Sequence, residues 1–171
     1  MNYFLDIPIL DIIIKLLIAL VLGLFLGIER VWAGKIAGMR TYALVSMGSA
    51  LFIIISSEIV SLYPSALGID PTRIASQIIV GVGFLGTGLI FTKGTKLMGL
   101  TTATGLWVAA GIGMAVGFGL YGTAIVATLL TLFTFTVLWF LEQKIRISKK
   151  AQMEKELKEE GEEATELDNG L

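Results

Sequence analysis

The chain has 171 residues, 55% of them hydrophobic and 16% charged, with a mean hydropathy of +0.83. A soluble domain runs nearer ~45–50% apolar and ~25% charged, so the composition is that of a polytopic membrane protein. Cysteine and histidine are absent, which excludes disulfides, Cys/His zinc sites, imidazole acid–base chemistry and a Ser-His-Asp triad.

The formal charge of -1 hides an asymmetry. Residues 1–150 carry 11 Lys/Arg against 6 Asp/Glu, and residues 151–171 carry 2 against 8. The bases cluster in loops beside apolar runs, so membrane topology explains them and nucleic acid does not.

The first segment runs from about Ile7 to Ile28, long enough to cross a ~30 Å hydrocarbon core. It has acids ahead of it and no small-residue cleavage site after it, so a retained span is expected. Asp11 and Lys15 are four apart and can pair across one turn. Gly23 and Gly27 form a GxxxG step for close helix contact. The segment ends on Glu29 and Arg30, and a short loop with Lys35 and Gly38 leads to Arg40 and Thr41. Charges at the mouth of a span are costly unless paired or solvated. Arg40 is the expected partner of Glu29 and Arg30 the competing one; a structural and a functional role both stay open for Glu29.

The second segment runs from Thr41 to about Val60, with Tyr42, Ser46, Ser49 and Ser56 on one face. Such hydroxyls are expected as polar glue between helices, with a hydrated pathway as the alternative. Pro64 to Pro71 is a loop.

The third segment, about Thr72 to Thr92, places Arg73, Gln77, Gly81, Phe84 and Gly88 on one face. Glycines at 81, 83, 86 and 88 allow close packing or a locally broken helix. GVGFLG matches the dinucleotide spacing, but no βαβ unit surrounds it, so phosphate binding is rejected.

Lys93 and Lys96 form a second basic loop. The fourth segment, about Leu100 to Val116, carries Thr101, Gly105, Ala109, Gly113 and Gly117 at every fourth position, a seam for a close neighbour. Trp107 lies off that seam and is expected to be a packing residue. The fifth segment runs from about Leu120 to Leu141 and is followed by Lys144, Arg146, Lys149 and Lys150. The expected organisation is a transmembrane domain over 1–143 and a basic, then acidic, disordered cytoplasmic tail over 144–171.

With five spans, loop 29–40, loop 93–99 and the bases after Leu141 fall on one side. The positive-inside rule makes that side cytoplasmic and puts the N-terminus outside. The expected fold is therefore an all-α membrane protein of five transmembrane helices.

Four ordered blocks carry a resemblance: LGLFLGIER, AGMRTYALVSMGSALF, DPTRIASQIIVGVGFLGTGLIF and GLTTATGLWVAAGIGMAVG. They are similar to the signature of the bacterial MgtC/SapB family over about Leu16 to Leu141. The family's characteristic positions fall on Gly27, Glu29, Arg30, Gly38, Arg40 and Thr41. They continue on Asp70, Arg73, Gln77, Gly81, Gly83, Phe84, Gly86 and Gly88, then on Gly99, Leu100, Thr101, Thr102 and Trp107. The resemblance implies a five-helix bacterial inner-membrane protein linked with growth at low Mg2+ and survival inside host cells, rather than a magnesium pump. It implies no cofactor. MgtC itself carries a soluble C-terminal domain, whereas a short acidic tail follows here, so the chain looks more like the shorter SapB/YhiD-like branch.

Three functions compete. The first is a non-enzymatic regulatory protein that binds other membrane proteins or itself within the lipid bilayer, which the glycine seams favour. The second is a Mg2+ transporter or channel; Mg2+ wants carboxylate and water oxygens. Glu29 is expected on the opposite side from Glu58 and Asp70, so no single metal cluster is evident. The third, an enzyme, has no visible base.

Overall fold

The structure, a computed structural model, describes residues 9–62, 70, 72–149 and 152. The elements run α1 (Ile9–Trp32), α2 (Met39–Leu62), α3 (Thr72–Thr87), β1 (Phe91–Lys93), β2 (Lys96–Met98), α4 (Leu100–Gly117) and α5 (Tyr121–Phe133). Two compact units divide the chain, Met1–Leu132 and Phe133–Leu171.

In the first unit α1, α2 and α4 pack against one another, and α3 packs on α4 and touches α2. Lipid tails are as apolar as leucine, so helices associate in a bilayer through close van der Waals packing and hydrogen bonds. The sequence meets that demand with glycine. A Cβ at Gly23 would stand 2.6 Å from the Tyr42 carbonyl oxygen, and one at Gly27 only 2.5 Å from Met39 Cα. A Cβ at Gly113 would overlap the Ser46 carbonyl, so α4 touches α2 backbone to backbone. Leu26, Tyr42, Ile53, Leu106, Ile112 and Val116 fill the space around these contacts.

The helix ends follow from local chemistry. α1 stops in a Schellman motif: Gly34 takes φ 65°, Lys35 N–H donates to the Arg30 carbonyl at 2.9 Å, and Gly34 N–H donates to Val31 at 3.0 Å. α4 stops the same way at Gly119, with Leu120 N–H on the Ala115 carbonyl at 2.8 Å. Ahead of α3, the Asp70 carboxylate accepts the Thr72 N–H at 2.8 Å and the Thr72 hydroxyl at 2.7 Å, an N-cap that satisfies an orphan helix donor. These bonds from Thr72 hold the Asp70 carboxyl below its ordinary range, with Arg73 adding to the effect. The Asp11–Lys15 pair forms at 2.7 Å, as the spacing predicts.

Segment three differs from expectation. Its helix ends at Thr87 rather than Thr92, because the glycine-rich end tightens into turns, with Leu89 N–H on Gly86 and Ile90 N–H on Thr87. An antiparallel hairpin follows in place of the expected loop, pairing Phe91 with Met98, Thr92 with Leu97 and Lys93 with Lys96. Gly94, at φ 62°, takes the first of its two turn positions, as primed two-residue turns require.

The second unit holds one π-helical turn, Thr134–Leu138, and helix onward to Lys149. Glu142 and Arg146 pair across one turn at 2.8 Å. The basic residues Lys144, Arg146 and Lys149 therefore lie on helix rather than in an irregular tail. The acidic stretch, like the loop from Pro64, lies outside the described residues apart from Gln152 and Asp70.

Among the described residues, four stretches are long and apolar enough to cross a membrane: Ile9–Trp32, Met39–Leu62, Leu100–Gly117 and Tyr121–Lys149. Five crossings are expected from the sequence; α3, at 16 residues, is about 24 Å long, short of a ~30 Å core. Large apolar side chains such as Leu17, Phe25, Leu44, Phe52 and Leu129 point outward, which suits a bilayer as solvent.

Candidate functional site

The charged mouth of the α1–α2–α4 core gathers several of the motif residues. Glu29 and Arg30 sit in the last turn of α1. Arg30 is only 3% exposed and its guanidinium pairs with the Glu29 carboxylate, which is 17% exposed. Arg40 is exposed at the start of α2. The expected Glu29–Arg40 pair is thus corrected: Arg30 is the partner, because the Schellman turn leaves Arg40 on the outer side of α2 while α1 buries Arg30. A base in the last turn also suits the negative end of the helix dipole.

Gly38 lies beside Val31, the residue after Arg30. Its carbonyl accepts the Tyr42 N–H at 3.1 Å, and a Cβ there would stand 2.7 Å from Val31 Cγ2. Tyr42 is fully buried and donates its phenol hydrogen to the Thr102 carbonyl in the first turn of α4 at 3.0 Å. One tyrosine therefore ties the mouth of α2 to α4 beside the ion pair. Thr41 points outward with Arg40.

The polar face of α2 lies inside as expected: Ser46, Ser49 and Ser56 are all buried. Ser46 is pinched between Gly23 and Gly113, and among the described residues its hydroxyl has no hydrogen-bond partner.

The α3 motif behaves differently. Arg73, Gln77, Gly81 and Phe84 share a face of α3 and are exposed, with Phe84 81% exposed; Gly88, expected on the same face, lies in the turn beyond the helix and is exposed as well. Gly83 is exposed too, and Cβ atoms at Gly81 or Gly83 would meet nothing within 4 Å. Of the α3 glycines only Gly86 is buried, facing Ala103 of α4. Asp70 serves as the helix cap already described.

On α4 the seam is partly corrected. Gly105, Ala109, Gly113 and Gly117 are buried, but Thr101 is exposed and Thr102 takes the inner place. Each i to i+4 step overshoots a turn by ~40°, so a strict four-residue stripe winds off one face. Trp107 is 52% exposed and lines an open apolar groove rather than packing in the core. Gly99, at φ 87°, is required where the hairpin meets α4, since a Cβ would strike the Leu89 carbonyl.

Among the described residues no cluster of three carboxylates could hold a metal ion. The sequence reading missed the hairpin and the Tyr42–Thr102 bond. Three-residue strands leave no readable alternation, and a backbone acceptor sixty residues away has no sequence signal.

The MgtC family model matches residues 16–144. The chain is 43% identical over 131 residues to the "Putative magnesium transporter YhiD" of Escherichia coli K12, covering 74% of this chain and 60% of that protein. It is 42% identical over 133 residues to the "Protein MgtC" of Salmonella typhimurium LT2, covering 78% and 54%. The "Uncharacterized protein slr0014" of Synechocystis sp. is 42% identical over 120 residues, covering 70% and 49%. The matched part spans about half the length of these curated relatives. No solved structure matches the chain.

Proposed function

The chain belongs to the MgtC family, and from that premise we propose that it is a non-enzymatic regulatory or accessory protein of the bacterial inner membrane, acting under Mg2+ limitation and in stress or virulence adaptation by contact with another membrane protein or a second copy of itself. The observation that carries this reading is the direction of the α3 motif. Arg73, Gln77, Gly81 and Gly88 face outward, away from the packed interior. A transport path would need polar motif residues turned inward. Polar groups facing lipid are costly, whereas a partner helix can cover them, and open glycines let its backbone approach. The interior in turn is closed by glycine contacts, and the Glu29 carboxylate is occupied by Arg30.

The second reading, a Mg2+ transporter, is supported by the name of the K12 relative. It would use Glu29 as an ion ligand after release from Arg30.

The orientation in this reading is N-terminus outside and C-terminus cytoplasmic, with α3 and the turns after it making the fifth crossing. With the N-terminus outside, a non-crossing α3 would put Lys93 and Lys96 outside, whereas a fifth crossing puts them in the cytoplasm with Lys35 and Arg40.

The test is Gly81→Leu. The position opens on empty space, so the protein should fold and insert at wild-type levels. The expected result is loss of complementation for growth at low Mg2+. Full complementation by folded Gly81→Leu would remove the outward face of α3 as the working surface.

A further inference from the structure

We propose that the β1–β2 hairpin and the outer groove of α4 form one site for an anionic phospholipid, the headgroup phosphate on Lys93 and Lys96 and an acyl chain in the groove beside Trp107. The inference rests on the membrane reading and is independent of whether α3 contacts a partner.

The hairpin register puts Lys93 directly opposite Lys96. Directly paired residues hold their Cβ atoms ~4.5–5.5 Å apart, and like charges so placed repel. Among the described residues neither lysine forms an ion pair with a carboxylate. An anion bound between them relieves that repulsion. Alternate residues share a face of a strand, so Phe91 and Met98 lie on the same side as the lysines, nearer the root of the hairpin. Both are exposed. The face is therefore basic at its tip and apolar at its root, the polarity of a bilayer interface.

β2 passes into α4 through Gly99 alone. From there the outer side of α4 shows the exposed Thr101 and Thr104, then Trp107. An apolar groove of about 180 Å³ follows, lined by Ile79, Trp107, Gly111, Met114 and Ala127. Gly111 makes the floor: a Cβ there would meet nothing within 4 Å. At 1.5 Å per residue, Trp107 lies ~10 Å and Met114 ~21 Å below Leu100, the depth range of an acyl chain whose headgroup sits at the helix start. The groove alone would accept any lipid tail. Charge complementarity at the hairpin selects the anionic one, and the cytoplasmic leaflet supplies it.

The test uses Trp107 as reporter in the full chain carrying Trp32→Phe and Trp139→Phe, reconstituted in phosphatidylcholine nanodiscs. The probes are phosphatidylglycerol and phosphatidylcholine brominated on the acyl chain, which quench tryptophan on contact. The expected result is half-quenching of Trp107 at a mole fraction of phosphatidylglycerol on the order of tenfold below that of phosphatidylcholine. Lys93→Gln with Lys96→Gln should make the two lipids equal, whereas Lys144→Gln with Lys149→Gln should preserve the preference. Gly111→Leu, which fills the groove, should abolish saturable quenching by both. Equal quenching by the two lipids in the reporter protein would overturn the proposal. So would a preference that survives loss of both hairpin lysines, or quenching that saturates unchanged in Gly111→Leu.

Discussion

Neighbouring residues on a helix project about 100° apart and do not ordinarily face each other. Arg30 nevertheless reaches Glu29, because its long stem folds back from a buried position toward the half-buried carboxylate. A buried guanidinium that loses a counter-charge loses a charge-assisted partner, a cost of up to ~3–5 kcal/mol in comparable settings. Glu29→Gln should therefore lower folded yield in detergent sharply, while Arg40→Gln, at an exposed position, should shift stability by less than ~0.5 kcal/mol. Exchanging Glu29 with Arg40 should recover nothing; recovery by that exchange would return Arg40 to the pair. Two other buried groups predict effects of opposite sign. Tyr42→Phe removes the bond to the Thr102 carbonyl and should cost ~0.5–1.5 kcal/mol. Ser46→Ala deletes a hydroxyl that has no partner and should be neutral or stabilising. Thermal unfolding followed by circular dichroism reads both, and a marked loss of stability in Ser46→Ala would mean that the hydroxyl is held after all.

At the scale of elements, two glycines of α4 separate packing from open space. Gly113 lies against the Ser46 backbone, so Gly113→Leu must push α2 away, at a cost of ~1–3 kcal/mol or more. Gly111, two residues earlier, faces the open groove, so Gly111→Leu should unfold at the wild-type temperature. Equal melting temperatures for the two variants would remove the glycine contact from the account. The close approaches at Gly23, Gly27 and Gly113 were legible in the sequence, since small residues four apart mark a helix contact in a bilayer. The buried hydroxyl face of α2 was legible for the same reason of period. Thr101 was misplaced because a four-residue stripe drifts relative to a helix of 3.6 residues per turn. The hairpin was illegible: FTKGTKLM has strands of three residues and a Gly-Thr turn instead of the stronger Asn-Gly signal. Sharing of a face by Arg73, Gln77, Gly81 and Phe84 was legible, but its outward direction and the helix end before Gly88 were not. Periodicity defines a face without saying what lies against it.

For the whole molecule, the proposed orientation rests on charge at the two ends of the helices. Lys35, Lys93 and Lys96 lie at one end in the proposed orientation, and the uncharged turn at Phe118 lies at the other. The chain has no cysteine, so single cysteines report on a clean background. Cysteines at Lys35 and Lys96 should resist an impermeant thiol reagent in intact cells, and one at Phe118 should react. Labelling at Lys96 without labelling at Phe118 would place the hairpin outside. The central claim is that this closed, glycine-packed core with a neutralised acid at its mouth works by contact and does not conduct ions. Mg2+ flux into liposomes that contain the purified chain and a trapped Mg2+ indicator tests it most directly. The account predicts uptake equal to that of protein-free liposomes across an inward Mg2+ gradient. Saturable uptake by the wild-type chain above that of protein-free liposomes would contradict it.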